Sequence, residues 1–162
     1  MLKSWAVPRG LPTDYRSDRL AVQVGDQIPG IPRQRTYEAF DMLGINSYYG
    51  WYEGKPERST ANLADLEPYL RAMHAKYPEQ ALVMTEFGAE ATMDGPDEVK
   101  ETWGFQARYV DHNLSLIKRL GFMSGAIYWT LREFAVKPDW DGGAERTDVV
   151  RDGIHNKGLL DY

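Results

Sequence analysis

The segment Ala81–Gly88 puts an acid where α/β proteins commonly do chemistry. It reads Ala-Leu-Val-Met-Thr-Glu-Phe-Gly, a short apolar run that ends at Glu86. Apolar runs of this length predict a buried strand, and the working residues of parallel α/β folds sit where strands end. A carboxylate at that point is partly withdrawn from water and can act as a nucleophile or a base. The alternative is a solvated acid at a strand-to-loop turn, and the motif alone leaves both interpretations open.

Aromatic and polar residues follow two further predicted strands. Asn46, Tyr48 and Tyr52 come at and after the end of one of them, and Trp129 comes at the end of the other. On residue type alone, the plainer role for these aromatic side chains is packing in the core or at its rim.

The elements that must position these residues alternate along the chain. The predicted order is a strand at 19–24, a helical turn at 36–40, a strand at 41–48, a helix at 63–77, a strand at 81–86, a helix from about 97 to 120 and a strand at 124–130. Such alternation predicts a parallel sheet with right-handed crossovers. Four strands with their helices make an α/β fold equivalent to half of a (β/α)8 barrel, whose usual size is about 250 residues.

Two helical segments carry further expectations. Pro68 falls early in the first helix, and Pro78 is expected to end it. The second helix is expected to turn an apolar stripe toward the core, formed by Val99, Trp103, Val110, Leu114 and Ile117. The charged, glycine-rich segment 137–152 is expected to be a mobile surface loop.

Composition narrows the class of protein. The chain has 162 residues, 43% of them hydrophobic, which suits one domain with a packed core. Its net charge of −5 argues against a general binder of nucleic acid or anionic membranes, because both need a basic face. There are no cysteines, no visible signal peptide and no stretch apolar enough to span a bilayer. The sequence therefore predicts a cytoplasmic protein.

The sequence predicts no metal site and no cofactor. His74 and His112 lie in predicted helices without metal-ligand spacing, so structural roles are expected for them. Glu90, Glu133 and Glu145 are expected to be solvated or ion-paired surface acids. No HExxH motif, phosphate-binding glycine loop or Ser/His/Asp arrangement stands out.

Four motifs in register resemble one family. They are Asn46–Tyr52, Thr85–Gly88, Tyr128–Phe134 and Asn156–Gly158. Together they resemble the C-terminal half of the catalytic TIM barrel of glycoside hydrolase family 2, the β-glucuronidase and β-galactosidase group, over roughly 29–162. The resemblance implies strands five to eight of the barrel and a carbohydrate substrate, a β-glycoside.

The resemblance also implies roles for individual residues. Glu86 matches the nucleophile, and Tyr48 matches a tyrosine that hydrogen-bonds it. Asn46 and Tyr52 belong to the same sugar-facing motif, and Trp129 matches an aromatic floor of the sugar site. These types suit the chemistry, since a phenol donor favours an ionised carboxylate and aromatic faces stack on the C–H side of a pyranose.

The chain departs from the family pattern in two respects. Retaining glycosidases need a second carboxyl group as acid/base; in this family it is a Glu after an Asn, and the chain has no Asn-Glu pair. The sequence thus resembles a fragment with the nucleophile but not its proton donor, inactive alone and open to self-association through exposed barrel edges. The glucuronidases of this family also bind the carboxylate of the sugar through an Asn-x-Lys sequence motif. Here His155, Asn156 and Lys157 occupy those positions, which leaves the sugar open.

The first 26 residues are of uncertain origin. Residues 2–26 resemble a segment of the 3′-phosphoesterase module of bacterial end-joining DNA ligases, without that module's His/Asp cluster, while 19–24 could equally be the fifth barrel strand. The resulting division is 1–26 and a barrel half at 27–162. The function implied is hydrolysis of terminal β-glycosidic bonds with retention, and the alternative is a non-catalytic carbohydrate-binding or structural remnant.

Overall fold

The structure, a computed structural model, describes residues 22–24, 33–55, 58–137 and 153–161. The predicted segment 137–152 and the ligase-like segment 2–26 lie almost wholly outside these residues. The elements, in chain order, are β1 (Val22–Val24), a 3₁₀ helix (Arg35–Ala39), β2 (Met42–Asn46), β3 (Gly54–Lys55), β4 (Arg58–Ser59), a 3₁₀ helix (Leu63–Asp65), α1 (Leu66–Lys76), β5 (Ala81–Phe87), β6 (Ala91–Met93), β7 (Glu101–Thr102), α2 (Trp103–Arg119), β8 (Met123–Tyr128), β9 (Phe134–Ala135) and β10 (Ile154–His155).

A four-stranded parallel sheet organises this mixed α/β structure. Its strand order is β1-β2-β5-β8. The four strands therefore lie side by side in the order in which they occur along the chain, and each neighbouring pair is parallel. The parallel sheet predicted from alternation is confirmed. The carboxyl ends of β2, β5 and β8 consequently meet at one edge of the sheet, where the candidate residues lie. The remaining described strands form three two-stranded pairings, β3–β4, β6–β7 and β9–β10.

The hydrophobic core lies between one face of this sheet and the two helices. Leu43, Ile45, Leu82, Met84 and Phe87 are completely buried on the strands. The helices contribute Leu66, Tyr69, Leu70 and Met73 from α1 and Phe105, Tyr109, Leu116 and Ile117 from α2. Burying aliphatic and aromatic side chains of this size contributes roughly 1.5–3 kcal/mol each.

The first helix follows the sequence expectation closely. A 3₁₀ turn leads into it, and the Asn62 side chain accepts a hydrogen bond from the Ala64 amide at 3.1 Å. Pro68 stands third in α1, where the helix has no use for its missing N–H. The helix ends at Lys76, two residues before Pro78.

The second helix corrects the sequence expectation in two ways. It begins at Trp103 and not near Asp97, because Glu101 and Thr102 pair with β6 and the Thr102 hydroxyl caps the Phe105 amide at 3.1 Å. The predicted stripe is also wrong in part, since Val99, Trp103 and Leu114 are about half exposed. Ile117 of the predicted stripe is buried as expected. The rest of the core face is formed by Phe105, Tyr109, Asn113 and Leu116, since Phe105 packs on Trp51 and Tyr109 on Phe87.

Among the described residues, neither helix combines the length and the hydrophobicity that crossing a bilayer requires. His74 stacks face to face on Phe122 with 4.3 Å between ring centroids, so its predicted structural role is supported by this contact.

Candidate functional site

A bulge in β5 sets the direction of Glu86. Up to Met84 the strand alternates regularly, with Leu82 and Met84 buried in the helix-facing core. Ile45 of β2 pairs with Met84, but the next residue, Asn46, pairs with Glu86, so β5 carries one extra residue at Thr85. The alternation resumes out of phase, with Phe87 in the core and Glu86 half-buried outside it. Bulges of this kind re-aim a side chain, and this one keeps the carboxylate out of the hydrophobic core.

Tyr48 contacts Glu86 directly. Its hydroxyl donates a hydrogen bond to Glu86 Oε2 at 3.0 Å across 38 residues of sequence. Burial first, and then the negative charge of Glu86, raises the pKa of Tyr48 well above its usual range. The phenol therefore stays protonated and remains a donor to the carboxylate at every physiological pH.

Three further groups continue this cluster away from Glu86. The Tyr52 ring lies 5.2 Å from the Tyr48 ring, and the Tyr52 hydroxyl donates to Glu90 Oε1 at 3.3 Å. The Lys157 ammonium contacts both Glu90 Oε1 and the Tyr52 hydroxyl, and it lies 4.6 Å from the Tyr52 ring centroid and 5.3 Å from that of Tyr48. Glu86, Tyr48, Tyr52, Glu90 and Lys157 thus form one connected group, here called the acid–tyrosine cluster.

The ion pair in this cluster is deeply buried. Lys157 is 1% exposed and Glu90 is 5% exposed. Burial lowers the pKa of Lys157, and the carboxylates of Glu90 and Glu86 oppose that shift. Glu90 is ion-paired, as one of its two expected states had it, but the expectation that it lies on the surface is wrong. Only the fold, which brings Glu90 and Lys157 together over 67 residues of sequence, shows the pair.

Asn46 and Trp129 lie next to the cluster and contact the two residues on either side of Glu86, Thr85 and Phe87. The Asn46 side-chain oxygen accepts a hydrogen bond from the Thr85 hydroxyl at 2.8 Å. The Trp129 amide donates to the Phe87 carbonyl at 2.8 Å, and its ring, 40% exposed, meets Phe134 edge to face. A Cβ at Gly88 would collide with the Trp129 carbonyl oxygen, so glycine allows this close approach of the two strand ends. The sugar-binding roles of Asn46 and Trp129 stay predictions.

His155 and Asn156 lie just before Lys157 and are also buried. His155 stacks on Phe134 with 4.7 Å between centroids, and the Asn156 carbonyl accepts from the Ala91 amide at 3.0 Å. These contacts attach the segment that carries Lys157 to β9 and to the start of β6. A direct role of either residue in sugar binding, as implied by the family pattern, stays a prediction.

His155 gives the fold a measurable pH dependence. Burial first, and then the Lys157 charge, lowers the pKa of His155 from 6.5 to about 4. The unfolded chain therefore takes up a proton on this residue below pH 6.5 while the folded chain does not, so stability is complete above pH 6.5 and falls as the pH falls toward 4. We expect urea unfolding to show this loss, and His155→Phe, which keeps the ring stack, to flatten it. An unchanged pH profile in a folded His155→Phe would contradict the assignment.

No group of three or more His, Cys, Asp or Glu side chains in the described part of the chain is arranged to hold a metal ion. What the acid–tyrosine cluster offers is a half-buried carboxylate with a phenol donor on one of its oxygens. Such a carboxylate can attack an electrophilic carbon, and the flanking rings can hold an apolar sugar face.

The known proteins that this chain is similar to are glycoside hydrolases. A β-glucuronidase of Bacteroides fragilis is 29% identical over 131 residues, which cover 75% of this chain and 17% of that protein. The chain is a distant homologue of β-glucuronidases. It spans about a sixth of the length of this relative, so the homology reaches a part of such enzymes only. No family model matches the chain.

Solved structures show the same relationship at the level of the fold. The β-glucuronidase of Ruminococcus gnavus superposes with a TM-score of 0.69 at 21% identity, covering 91% of this chain and 24% of that protein. A family GH2 β-galacturonidase of Eisenbergiella tayi superposes with a TM-score of 0.57 at 23% identity, covering 76% and 21%. This β-glucuronidase homologue therefore shares the fold of part of these enzymes. The resemblance to glucuronidases inferred from four motifs is supported; that to a DNA ligase module stays a prediction.

Proposed function

We propose that the chain carries the nucleophile side of a retaining β-glycosidase site in a partial (β/α)8 barrel of family 2 type. Glu86 is the nucleophile, Tyr48 orients it, and Tyr52 and Trp129 offer faces to a sugar ring. The observation that carries the proposal is the 3.0 Å hydrogen bond from Tyr48 to Glu86 at the ends of adjacent parallel strands. The homology to β-glucuronidases supports it.

In this mechanism a Glu86 oxygen attacks the anomeric carbon of a terminal β-glycoside. The new carbon–oxygen bond forms a glycosyl ester as the bond to the aglycone oxygen breaks, and the aglycone leaves with that electron pair. A natural aglycone needs a proton from a general acid, which commonly supplies about 10²–10⁴-fold in rate. Since the chain has no Asn-Glu pair, we propose that hydrolysis needs an acid from outside these 162 residues.

A fluorosugar probe tests the proposal without that acid. A 2,4-dinitrophenyl 2-deoxy-2-fluoro-β-glycoside has a leaving group that departs unprotonated, and its fluorine slows release of the ester. We expect intact-mass spectrometry to show one glycosyl adduct per chain, and peptide mapping to place it on Glu86. The probe set holds glucurono and galacturono probes, since the reported relatives are named for these two sugars, and gluco and galacto probes as their uncharged counterparts.

The alternative function is a non-catalytic carbohydrate-binding or structural remnant. The absence of an Asn-Glu pair favours it. In that case sugars bind to the aromatic faces and no probe labels the chain. Binding without labelling at any residue would replace the nucleophile proposal with this one.

Tyr48→Phe tests the orienting hydrogen bond. A hydrogen bond to a charged group contributes about 1.5–3 kcal/mol, so we expect the labelling rate to fall about 10- to 100-fold. Tyr128→Phe is the matched control, because the Tyr128 hydroxyl donates to the Ala89 carbonyl at 3.2 Å and not to Glu86. Equal labelling rates in the two folded variants would remove Tyr48 from the mechanism.

A further inference from the structure

We propose that two copies of this chain pair through the outer edges of their four-stranded sheets and close one eight-stranded parallel barrel. This inference rests on the partial barrel of the proposed function, because it names the partner that completes it. It starts from the sheet itself, in which β1 and β8 are the two edge strands. Each of them has one side that pairs with no other strand in the described part of the chain.

The first step is the sheet face that the helices leave open. Met84 of β5 and Ala126 and Tyr128 of β8 pack in the core between the sheet and the helices. Val83 and Ile127 alternate with them and therefore point to the opposite face, where Val83 is half-buried and Ile127 is 58% exposed. Parallel sheets occur almost only with both faces covered. This face therefore needs a covering layer that the described residues do not supply.

The second step is the exposed apolar surface that continues past the end of β8. Trp129 follows the strand and is partly exposed, and Leu131, two residues further on, is 67% exposed. The Leu160 amide donates to the Leu131 carbonyl at 3.0 Å, so this half-exposed leucine lies beside it. Large exposed apolar patches on soluble proteins mark interaction sites. The patch lies at the edge strand, which indicates that the partner meets the sheet there.

The third step is the identity of that partner. A closed barrel of parallel strands has eight of them, twice the number in this sheet. A second copy offers the two edges that are needed, because β8 of each copy can pair in parallel with β1 of the other. A twofold axis along the barrel then closes the ring, and closure leaves no free strand edge. One isolated strand added to β8 would cover neither β1 nor the open face.

This arrangement gives the proposed sugar site a second wall. In a parallel barrel the carboxyl ends of all strands lie at one end. Trp129 follows β8, so Val24 of the partner subunit, at the carboxyl end of its β1, comes to lie beside that ring. Glu86 stands on the third strand of its sheet, and the partner's Glu86 consequently stands on the opposite side of the ring. Each copy therefore keeps its own nucleophile.

The mass in solution gives the first test. Light scattering coupled to size-exclusion chromatography should show twice the 18.5 kDa of one chain. Ile127→Lys places a charge inside the closed barrel and should raise the dissociation constant of the dimer about tenfold or more. Val99→Lys is the matched control, because Val99 is a similarly exposed apolar residue outside the sheet. It should leave the dissociation constant unchanged, and melting curves confirm that both variants fold.

Introduced cysteines test the geometry, since the chain has none of its own. Within one copy β1 and β8 are three strand spacings apart, about 14 Å, whereas the Cα atoms of a disulfide lie within about 7 Å. Ile127→Cys is combined in turn with Val22→Cys, Gln23→Cys and Val24→Cys, which covers the possible pairing registers. We expect one of these double variants to form a disulfide-linked dimer on mild oxidation, and the four single variants to stay unlinked.

Three outcomes would overturn the inference. They are the mass of a single chain at every concentration, masses beyond two chains, which indicate edges that pair without closing, and linkage in Ile127→Cys alone, which indicates two β8 strands side by side. The proposed function is judged separately. Fluorosugar labelling of Glu86 in a monomeric chain would leave that function standing without the second copy, whereas a linked dimer that is not labelled would support the barrel and contradict the nucleophile.

Discussion

Glu86→Gln is expected to abolish covalent labelling by the fluorosugar probe. The amide oxygen carries no charge and is a far weaker nucleophile than the carboxylate, and replacing a nucleophile commonly costs about 10⁴-fold or more in rate. Gln is nearly isosteric with Glu, and its side-chain oxygen can still accept from Tyr48. The variant should therefore fold normally and still bind sugar.

The measurement is the adduct fraction by intact-mass spectrometry over a time course. Glu133→Gln is the matched control, because Glu133 lies beyond β8 and outside the acid–tyrosine cluster. Labelling that persists in Glu86→Gln, or an adduct mapped to another acid in the wild-type chain, would remove Glu86 as the nucleophile. Loss of labelling together with loss of sugar binding would point to misfolding, which the melting curve detects.

Lys157→Met is expected to lower the free energy of unfolding by about 3–5 kcal/mol. The substitution leaves the Glu90 carboxylate buried without its partner, and an uncompensated buried charge is far more costly than a lost surface pair. The double variant Glu90→Gln/Lys157→Met removes both charges from the interior and should recover most of that loss. Urea unfolding followed by tryptophan fluorescence measures all three forms.

An exposed ion pair provides the comparison. Arg71 and Glu67, four residues apart on α1, lie 2.6 Å apart on the surface. Arg71→Met should leave the unfolding free energy nearly unchanged, because water solvates the remaining acid. If Lys157→Met were as mild as Arg71→Met, or if the double variant were no more stable than the single one, the buried pair would not have the energetic role assigned to it.

Much of the fold follows from local sequence signals. The apolar runs at 41–48 and 81–86 predict β2 and β5, while Pro68 stands in the first turn of α1 and Pro78 follows its end. Parallel pairing follows from the alternation of strands and helices. These features depend on periodicity and on proline chemistry, which act over a few residues and can be read without knowledge of distant contacts.

The corrected features depend on contacts between distant segments. Thr102 caps α2 because Glu101 and Thr102 pair with β6, and the apolar stripe alone cannot reveal that pairing. The buried face of α2 is the one that packs on Trp51, in the turn after β2, and on Phe87 of β5. Helical periodicity predicts that a helix forms, but the side of it that is buried depends on which distant residues it packs against.

The candidate site divides in the same way. Glu86 and Tyr48 are found from their positions at strand ends and from the family motif. Glu90 is missed because an acid four residues after Glu86 looks like any surface acid, and its partner Lys157 lies far along the chain. A single clue exists in the sequence: a lysine within an otherwise uncharged His155–Gly158 segment needs a counter-ion if that segment is buried.

The extra residue in β5 divides the strand into two parts that respond differently to substitution. Residues 81–84 obey the pleat, and apolar exchanges of similar volume at Leu82 or Met84 would adjust packing at a cost usually below about 1.5 kcal/mol. Thr85 is the bulged residue and Glu86 follows it. The bulge, and not the side chains at 82 and 84, sets the direction of the Glu86 carboxylate, so such exchanges should leave that direction unchanged. An engineer could therefore tune the thermal tolerance of the protein through the first half of this strand while its reactive half remains as it is.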